Sequence, residues 1–292
     1  GVPPMTPSRR EPSHDLDVLL GIAIDSARRA GSLVNDFLAE RDGRSRLRVN
    51  ARSKSSATEL VTRADHASEE LIVATILANR PNDGIVGEEG SRVAGSTGVD
   101  WIIDPIDGTT NFVYGYPAFA VSIAASDGDG PLVGVVYDPL RGETFSARRG
   151  GGSFLNDEPI PTWTSAPSLE ESLLATGFGY QPAMRSAQAS LLTHVLPRVR
   201  DIRRGGSAAL DLCSVAVGRV DLYYEAGLGR WDREAGVLIA TEAGRVARDH
   251  SGIMDGRNTL IVAPPPLLGP FIALLEAARD RSRAQPATFG PA

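Results

Sequence analysis

The chain has 292 residues, 42% hydrophobic and 23% charged, enough for one large domain or two closely packed smaller ones. Its net charge of −6 and pI near 5.3 offer no general attraction to phosphodiester backbones or anionic membranes, so neither nucleic acid nor membrane is expected as a partner. The one cysteine, Cys213, excludes an intrachain disulfide and a cysteine-based zinc site, and no apolar run approaches the ~18 residues of a membrane span.

Residues 1–13 lack an apolar signal-peptide core, so a cytoplasmic protein is expected, with disordered tails at 1–13 and 282–292. Residues 16–39 space their apolar side chains as a helix does. The basic stretch 41–58 reads as an exposed loop, with a lid over the site as one role for it. A second amphipathic helix follows at about 62–79, and Pro81 ends it. "DGIVGEEG" (83–90) reads as a short strand ending at Glu88 and Glu89. "VDWIID" (99–104) reads as another, stopped by Pro105 because proline donates nothing to a ladder. From 118 to 155 an antiparallel meander turns at 126–131 and 138–142.

Pro159, Pro161 and Pro167 mark a crossing into a second half. There, "SLLATGFG" (172–179) reads as a strand, 185–199 as a helix, "RDIRRGG" (200–206) as a strand and turn, and 207–218 as a helix. "VDLYYEAG" (220–227) is a strand, and Asp232 is placed as N-cap of a helix at 233–243 closed by Gly244. A strand pair at 245–263 and a helix at 267–280 finish the chain. The alternation predicts an α/β protein of mixed α+β character, with mixed sheets covered by helices. Its halves are 14–157 and 158–281.

No P-loop, nucleophile-elbow or zincin motif occurs, and the four histidines (His14, His66, His194, His250) are scattered, which argues against an imidazole metal site. Carboxylates at element ends remain. "WIIDPIDGTTNF" (101–112) sets Asp104 and Asp107 three residues apart around a turn, and the ends of a turn approach within about 7 Å. Two charges that close repel unless a cation intervenes or one is protonated. Hard oxygen ligands suit Mg²⁺. Gly108-Thr109-Thr110 adds the complement, because free N–H groups at the start of a helix or turn face an anion. A hairpin signal or a helix cap explains the stretch equally well when it is taken alone.

The stretch resembles the signature of the inositol monophosphatase family, within the magnesium-dependent, lithium-sensitive phosphatase superfamily. Similar blocks stand in the family's order: "KSSATELVTRAD" (54–65), "IVGEEG" (85–90), "GSAALDLC" (206–213) and "YYEAGLGRWDREAG" (223–236). The resemblance spans roughly 16–280. It implies a layered α-β-α-β-α sandwich of the sugar phosphatase type, a site between the halves and a homodimer. By the same resemblance Glu88, Asp104 and the Ile106 carbonyl would bind one Mg²⁺, and Asp104, Asp107 and Asp232 a second. Asp65 and Glu88 would hold a third, more hydrated ion. Thr109, oriented by Asp65, would hydrogen-bond the attacking water, and Gly108 and Thr109 would offer N–H groups to the phosphate. Asp107, Ser207, Ala208 and Glu225 would meet the polyol hydroxyls. The five carboxylates and a phosphate dianion carry −7, which three Mg²⁺ and Lys54 would neutralise.

The implied reaction is hydrolysis of a small phosphate monoester, led by myo-inositol 1-phosphate, by metal-activated water. Histidinol phosphate, fructose 1,6-bisphosphate and a 3′-phosphonucleotide are alternative substrates, and a regulatory RNA- or polymerase-binding protein is the reading from another class. Animal members often place a histidine two residues before the Trp-Asp pair; here Gly229 and then Arg230 open the pocket and add a guanidinium on the substrate side, which leaves the polyol open.

Overall fold

The structure, a computed structural model, describes residues 14–44, 54–162, 168–254 and 256–284. The expected tails at 1–13 and 282–292 lie outside these residues except for 282–284, which are not a tail but continue the last helix; 45–53, the middle of the stretch read as a loop with a lid role, also lies outside them. Both ends of that stretch belong to helices, α1 (Leu16–Arg44) and α2 (Lys54–Asn79). Leu19, Ala23, Ala27, Ala30 and Val34 of α1 recur every three or four residues and are buried, as are Ala64, Ile72 and Ile76 of α2. Most of these pack on one face of a large sheet, while Val34 and Ala64 pack with Ile106, Phe112 and Phe119.

That sheet has eight strands: β1 (Gly84–Gly87), β2 (Arg92–Val93), β3 (Asp100–Asp107), β4 (Ala120–Asp127), β5 (Gly130–Asp138), β6 (Glu143–Arg148), β7 (Ser153–Leu155) and β8 (Glu158–Pro159). Their spatial order is β2-β1-β3-β4-β5-β6-β7-β8, with β1 and β3 parallel and the rest antiparallel, so the meander forms as expected. Along β3, Trp101 and Ile103 face the α1–α2 side while Ile102 faces the interior of the molecule. Both faces are covered, which is why the strand reads as an unbroken apolar run.

β3 does not stop at Pro105. It continues to Asp107, and its register against β4 shifts between Asp104 and Asp107. A bulge absorbs the residue that cannot donate. The short helix α3 (Thr109–Tyr114) follows directly.

The smaller sheet contains β9 (Leu173–Thr176), β10 (Asp201–Arg203), β11 (Leu222–Ala226), β12 (Val246–Met254) and β13 (Arg257–Ala263), in the order β10-β9-β11-β13-β12. The first three are mutually parallel, β13 runs antiparallel to β11, and β12 runs antiparallel to β13. Helices α5 (Ala208–Ala216) and α6 (Arg230–Glu242) fill the space between the sheets, where Leu212, Cys213 and Ile239 meet Ile102, Phe145 and Tyr223. Cys213 is buried there, and burial pushes its thiol well above its ordinary range, as suits a core residue. Helices α4 (Pro182–Val195) and α7 (Pro265–Ala284) cover the outer face of the small sheet through Leu191, Val195, Phe271 and Leu275. The result is five layers, helix-sheet-helix-sheet-helix. No described helix is long and apolar enough to cross a membrane.

Candidate active site

The site starts from the bulge at the end of β3. Asp104 Oδ1 accepts the Ile106 N–H at 3.0 Å, and the Ile106 carbonyl accepts the Thr109 hydroxyl at 3.0 Å, so the 104–109 turn is tied internally. Ser68 of α2 donates to the Pro105 carbonyl at 3.2 Å, which docks α2, and Asp65 one turn earlier, onto that turn. Gly108 caps α3 with φ 95°, and a Cβ there would lie 2.9 Å from the Ala118 carbonyl oxygen and 3.2 Å from that of Gly206. Only glycine satisfies both the angle and the space.

Parallel pairing of β1 with β3 sets Gly87 beside Ile103, which brings Glu88 to Asp104. The two carboxyl groups are within hydrogen-bond reach of each other. Glu69 of α2 fixes this loop by accepting the N–H groups of Glu89 and Ser91, each at 2.9 Å.

The remaining carboxylate comes from the second half of the chain. Asp104 stands opposite Ser122 on β4, and the Ser122 hydroxyl donates to the Trp231 carbonyl at 3.2 Å. Ser126, on the same strand, donates to Glu234 at 2.6 Å. At Gly134 of β5 the α6 backbone comes so near that a Cβ would sit 2.9 Å from Ala235 Cα. These contacts lay the first turn of α6 against the end of β3. Helix α6 begins at Arg230 and its N-cap is Gly229, so Asp232 is the third helical residue and not the cap. Its carboxylate reaches back to the Gly229 N–H at 2.6 Å, doing a capping residue's work from inside the helix. Asp107 is held from α5, accepting the Ser207 hydroxyl at 2.5 Å and the Ala209 N–H at 2.7 Å.

One oxygen each from Asp104, Asp107 and Asp232 then lie within 4.8 Å of one another. Such crowding shows in the acidities. Burial, with Glu89, Glu88 and Glu69 nearby, raises Asp65 to about 8. Burial and the charges of Asp232, Glu89 and Glu69 raise Glu88 to about 7, against the opposing hydrogen bond with Asp104. Asp107 reaches about 7 through burial and the nearby Asp232 and Glu225, although Ser207 and Ala209 pull it down. Burial and the carboxylates of Glu88, Asp107 and Asp232 carry Asp104 well above the carboxylate range, and burial also raises Asp232. A cluster of hard oxygen donors that holds protons for want of compensating charge fits a divalent cation such as Mg²⁺.

The cluster opens into a cleft of about 550 Å³, with Glu88, Asp107 and Asp232 at its acidic end. Gly108, Ala208 and Glu225 also line it, and burial raises Glu225 to about 7, opposed by the Tyr223 hydroxyl at 2.8 Å and by Arg204. Ser207 is buried behind the wall, its hydroxyl committed to Asp107. Arg230 turns to Glu234 at 2.5 Å and does not line the cleft. The Lys54 side chain lies outside the described residues. Phe178, Tyr180, Arg204 and Arg257 are among the lining residues not singled out from the sequence. The one sequence signal for them was a pair of arginines before a double glycine at 203–206.

Residues 15–279 match the inositol monophosphatase family. The chain is 43% identical over 273 residues to a Mycobacterium bovis protein called inositol-1-monophosphatase, covering 90% of this chain and 93% of that one. It is 41% identical over 253 residues to a Haemophilus influenzae protein called Nus factor SuhB, covering 86% and 92%. The solved structure of Mycobacterium tuberculosis SuhB superposes with a TM-score of 0.77 at 39% identity, over 91% of this chain and 98% of that one.

Proposed function

The chain belongs to the inositol monophosphatase family, and on that premise we propose that it hydrolyses a small phosphate monoester, led by myo-inositol 1-phosphate, with Mg²⁺ as cofactor. The observation that carries this reading is the convergence of Asp104, Asp107 and Asp232, from both halves of the chain, beside the Gly108 cap of α3. Glu88, Asp104, Asp107, Asp232, Asp65 and the Ile106 carbonyl would hold two to three ions. Bound there, Mg²⁺ would offset the charge of the carboxylates and of the phosphate and act as a Lewis acid toward phosphoryl and water oxygens.

The protein's own groups do the positioning. Gly108 and Thr109 direct their N–H groups at the phosphate. Thr109 Oγ1, already placed on the Ile106 carbonyl, orients the attacking water together with Asp65. Water adds to phosphorus as the ester P–O bond breaks, and the leaving oxygen takes up a proton. Glu225, Asp107 and Ala208 meet the leaving group, while Ser207 acts on it through Asp107. The halves 14–157 and 158–281 divide the task, the first supplying most metal ligands and the second Asp232 and the substrate side. The protein works as a cytoplasmic homodimer. The Haemophilus relative's designation as a Nus factor supports a second reading, regulatory binding to RNA or polymerase, which would show as salt-sensitive association.

The test is phosphate release from inositol 1-phosphate, histidinol phosphate, fructose 1,6-bisphosphate and 3′-phosphoadenosine 5′-phosphate, with Mg²⁺, with EDTA, and with Mg²⁺ plus Li⁺. Release that needs Mg²⁺, is inhibited by Li⁺ and is fastest for inositol 1-phosphate is expected. Absence of metal-dependent release from all four would overturn the enzyme reading.

A further inference from the structure

The parallel strands β10, β9 and β11 end side by side on the cleft, and the segment after each forms part of its wall. Arg204 follows β10, Phe178 follows β9, and Gly227 follows β11. β13 runs beside β11, with Ala226 opposite Thr259, and brings Arg257 to the same wall. Gly227 turns with φ 81°, and a Cβ there would lie 3.0 Å from Arg257 Nη1; a Cβ on Gly206 would lie 2.5 Å from Arg204 Nη1. Both guanidiniums thus rest against bare glycine backbone.

Elsewhere this chain pairs its arginines: Arg80, Arg141, Arg149, Arg219 and Arg233 each hold a carboxylate at 2.8 Å or less. The two on the cleft do not. Arg204 lies over the Phe178 ring at 5.9 Å and within electrostatic reach of Glu225 and Asp211. Neither it nor Arg257 forms an ion pair or donates a hydrogen bond among the described residues. Guanidiniums only donate, and their planar forks match phosphate and carboxylate. A neutral polyol asks for acceptors, which Glu225 supplies with the oxygen that Tyr223 leaves free, whereas the two guanidiniums add donors alone.

On the phosphatase reading above, we propose that Arg204 and Arg257 form a second anion subsite on the leaving-group side of the cleft. Of two otherwise identical phosphate monoesters, the one whose leaving group carries a further phosphate or carboxylate is then the better substrate. Water cleaves the ester at the acidic end, giving inorganic phosphate and an alcohol that keeps its second anion. The second anion is held, not transferred.

Two matched pairs test this: fructose 1,6-bisphosphate against fructose 1-phosphate, scored as loss of the 1-phosphate, and 3-phosphoglycerate against glycerol 3-phosphate. For each pair the readout is the ratio of kcat/KM, with and without the second anion. In the wild type at least one ratio should exceed about tenfold and shrink as salt is added. The pair that shows it identifies phosphate or carboxylate as the group held. In the double variant Arg204→Gln/Arg257→Gln that ratio should fall to within about twofold of one, while Arg204→Lys/Arg257→Lys keeps part of it. Both side chains are exposed, so thermal unfolding should be unchanged; if the glutamine variant fails to fold, the single changes Arg204→Gln and Arg257→Gln decide by the same ratio. Ratios near one in the wild type, or ratios that the substitutions leave intact, overturn the subsite and spare the phosphatase reading. Absence of metal-dependent release from these four esters alone overturns the subsite; absence from the panel led by inositol 1-phosphate as well overturns both.

Discussion

At the scale of single residues, Asp107 shows how little freedom the site has. One of its oxygens is claimed by Ser207 and Ala209 of the second half, and the carboxylate must still stand within 4.8 Å of Asp104 and Asp232. Groups that orient a ligand commonly govern metal affinity by about ten- to hundredfold. Ser207→Ala should therefore raise the Mg²⁺ concentration needed for half-maximal phosphate release by about that much, as a magnesium titration of activity would show; an unchanged requirement would make the serine a bystander. The three clustered aspartates were legible in the sequence because each stands where an apolar run meets a turn or a helix start. Arg204 and Arg257 were not. Their common wall exists only once β10, β9, β11 and β13 are laid side by side, a pairing that no local spacing encodes.

At the scale of elements, the delivery of Asp232 depends on how α6 crosses the large sheet. Ser122 and Ser126 hold its first turn, and the lack of a side chain at Gly134 allows the helix backbone to approach. Gly134→Val would push against Ala235, costing about 1–3 kcal/mol as overpacking does. It should also raise the Mg²⁺ requirement, because the helix that shifts is the one carrying a ligand. Thermal unfolding and magnesium titration check both parts, and a variant with native stability and native metal response would refute the coupling. Most elements were legible from periodicity, including the antiparallel meander, because β4, β5 and β6 are long and bounded by clear turns. Two boundaries at the site itself were misread. Proline stops a regular ladder but not a bulged one, so β3 runs on to Asp107. A carboxylate reaching back three residues imitates an N-cap, so α6 starts earlier than its aspartate suggests.

At the scale of the whole molecule, five layers bury a charge imbalance at the junction of two sheets, and folding must bear its cost. Asp65 is raised to about 8, and Glu88, Asp107 and Glu225 to about 7, against about 4 for such groups in an unfolded chain. Between about pH 4 and pH 8 the folded, metal-free protein therefore holds more protons than the unfolded chain. Its stability must fall as pH rises through that window. Magnesium bound at the cluster would compensate the carboxylates and remove the penalty, most strongly at the alkaline end. The most direct measurement is thermal unfolding at pH 5 and pH 8, each with EDTA and with excess Mg²⁺, for the wild type and Asp104→Asn. With EDTA the wild type should melt at least about 5 °C lower at pH 8 than at pH 5, and Mg²⁺ should recover that loss at pH 8 in the wild type but not in the variant. A melting temperature indifferent to Mg²⁺ at pH 8, or an equal magnesium response in Asp104→Asn, would contradict a metal centre at Asp104, Asp107 and Asp232.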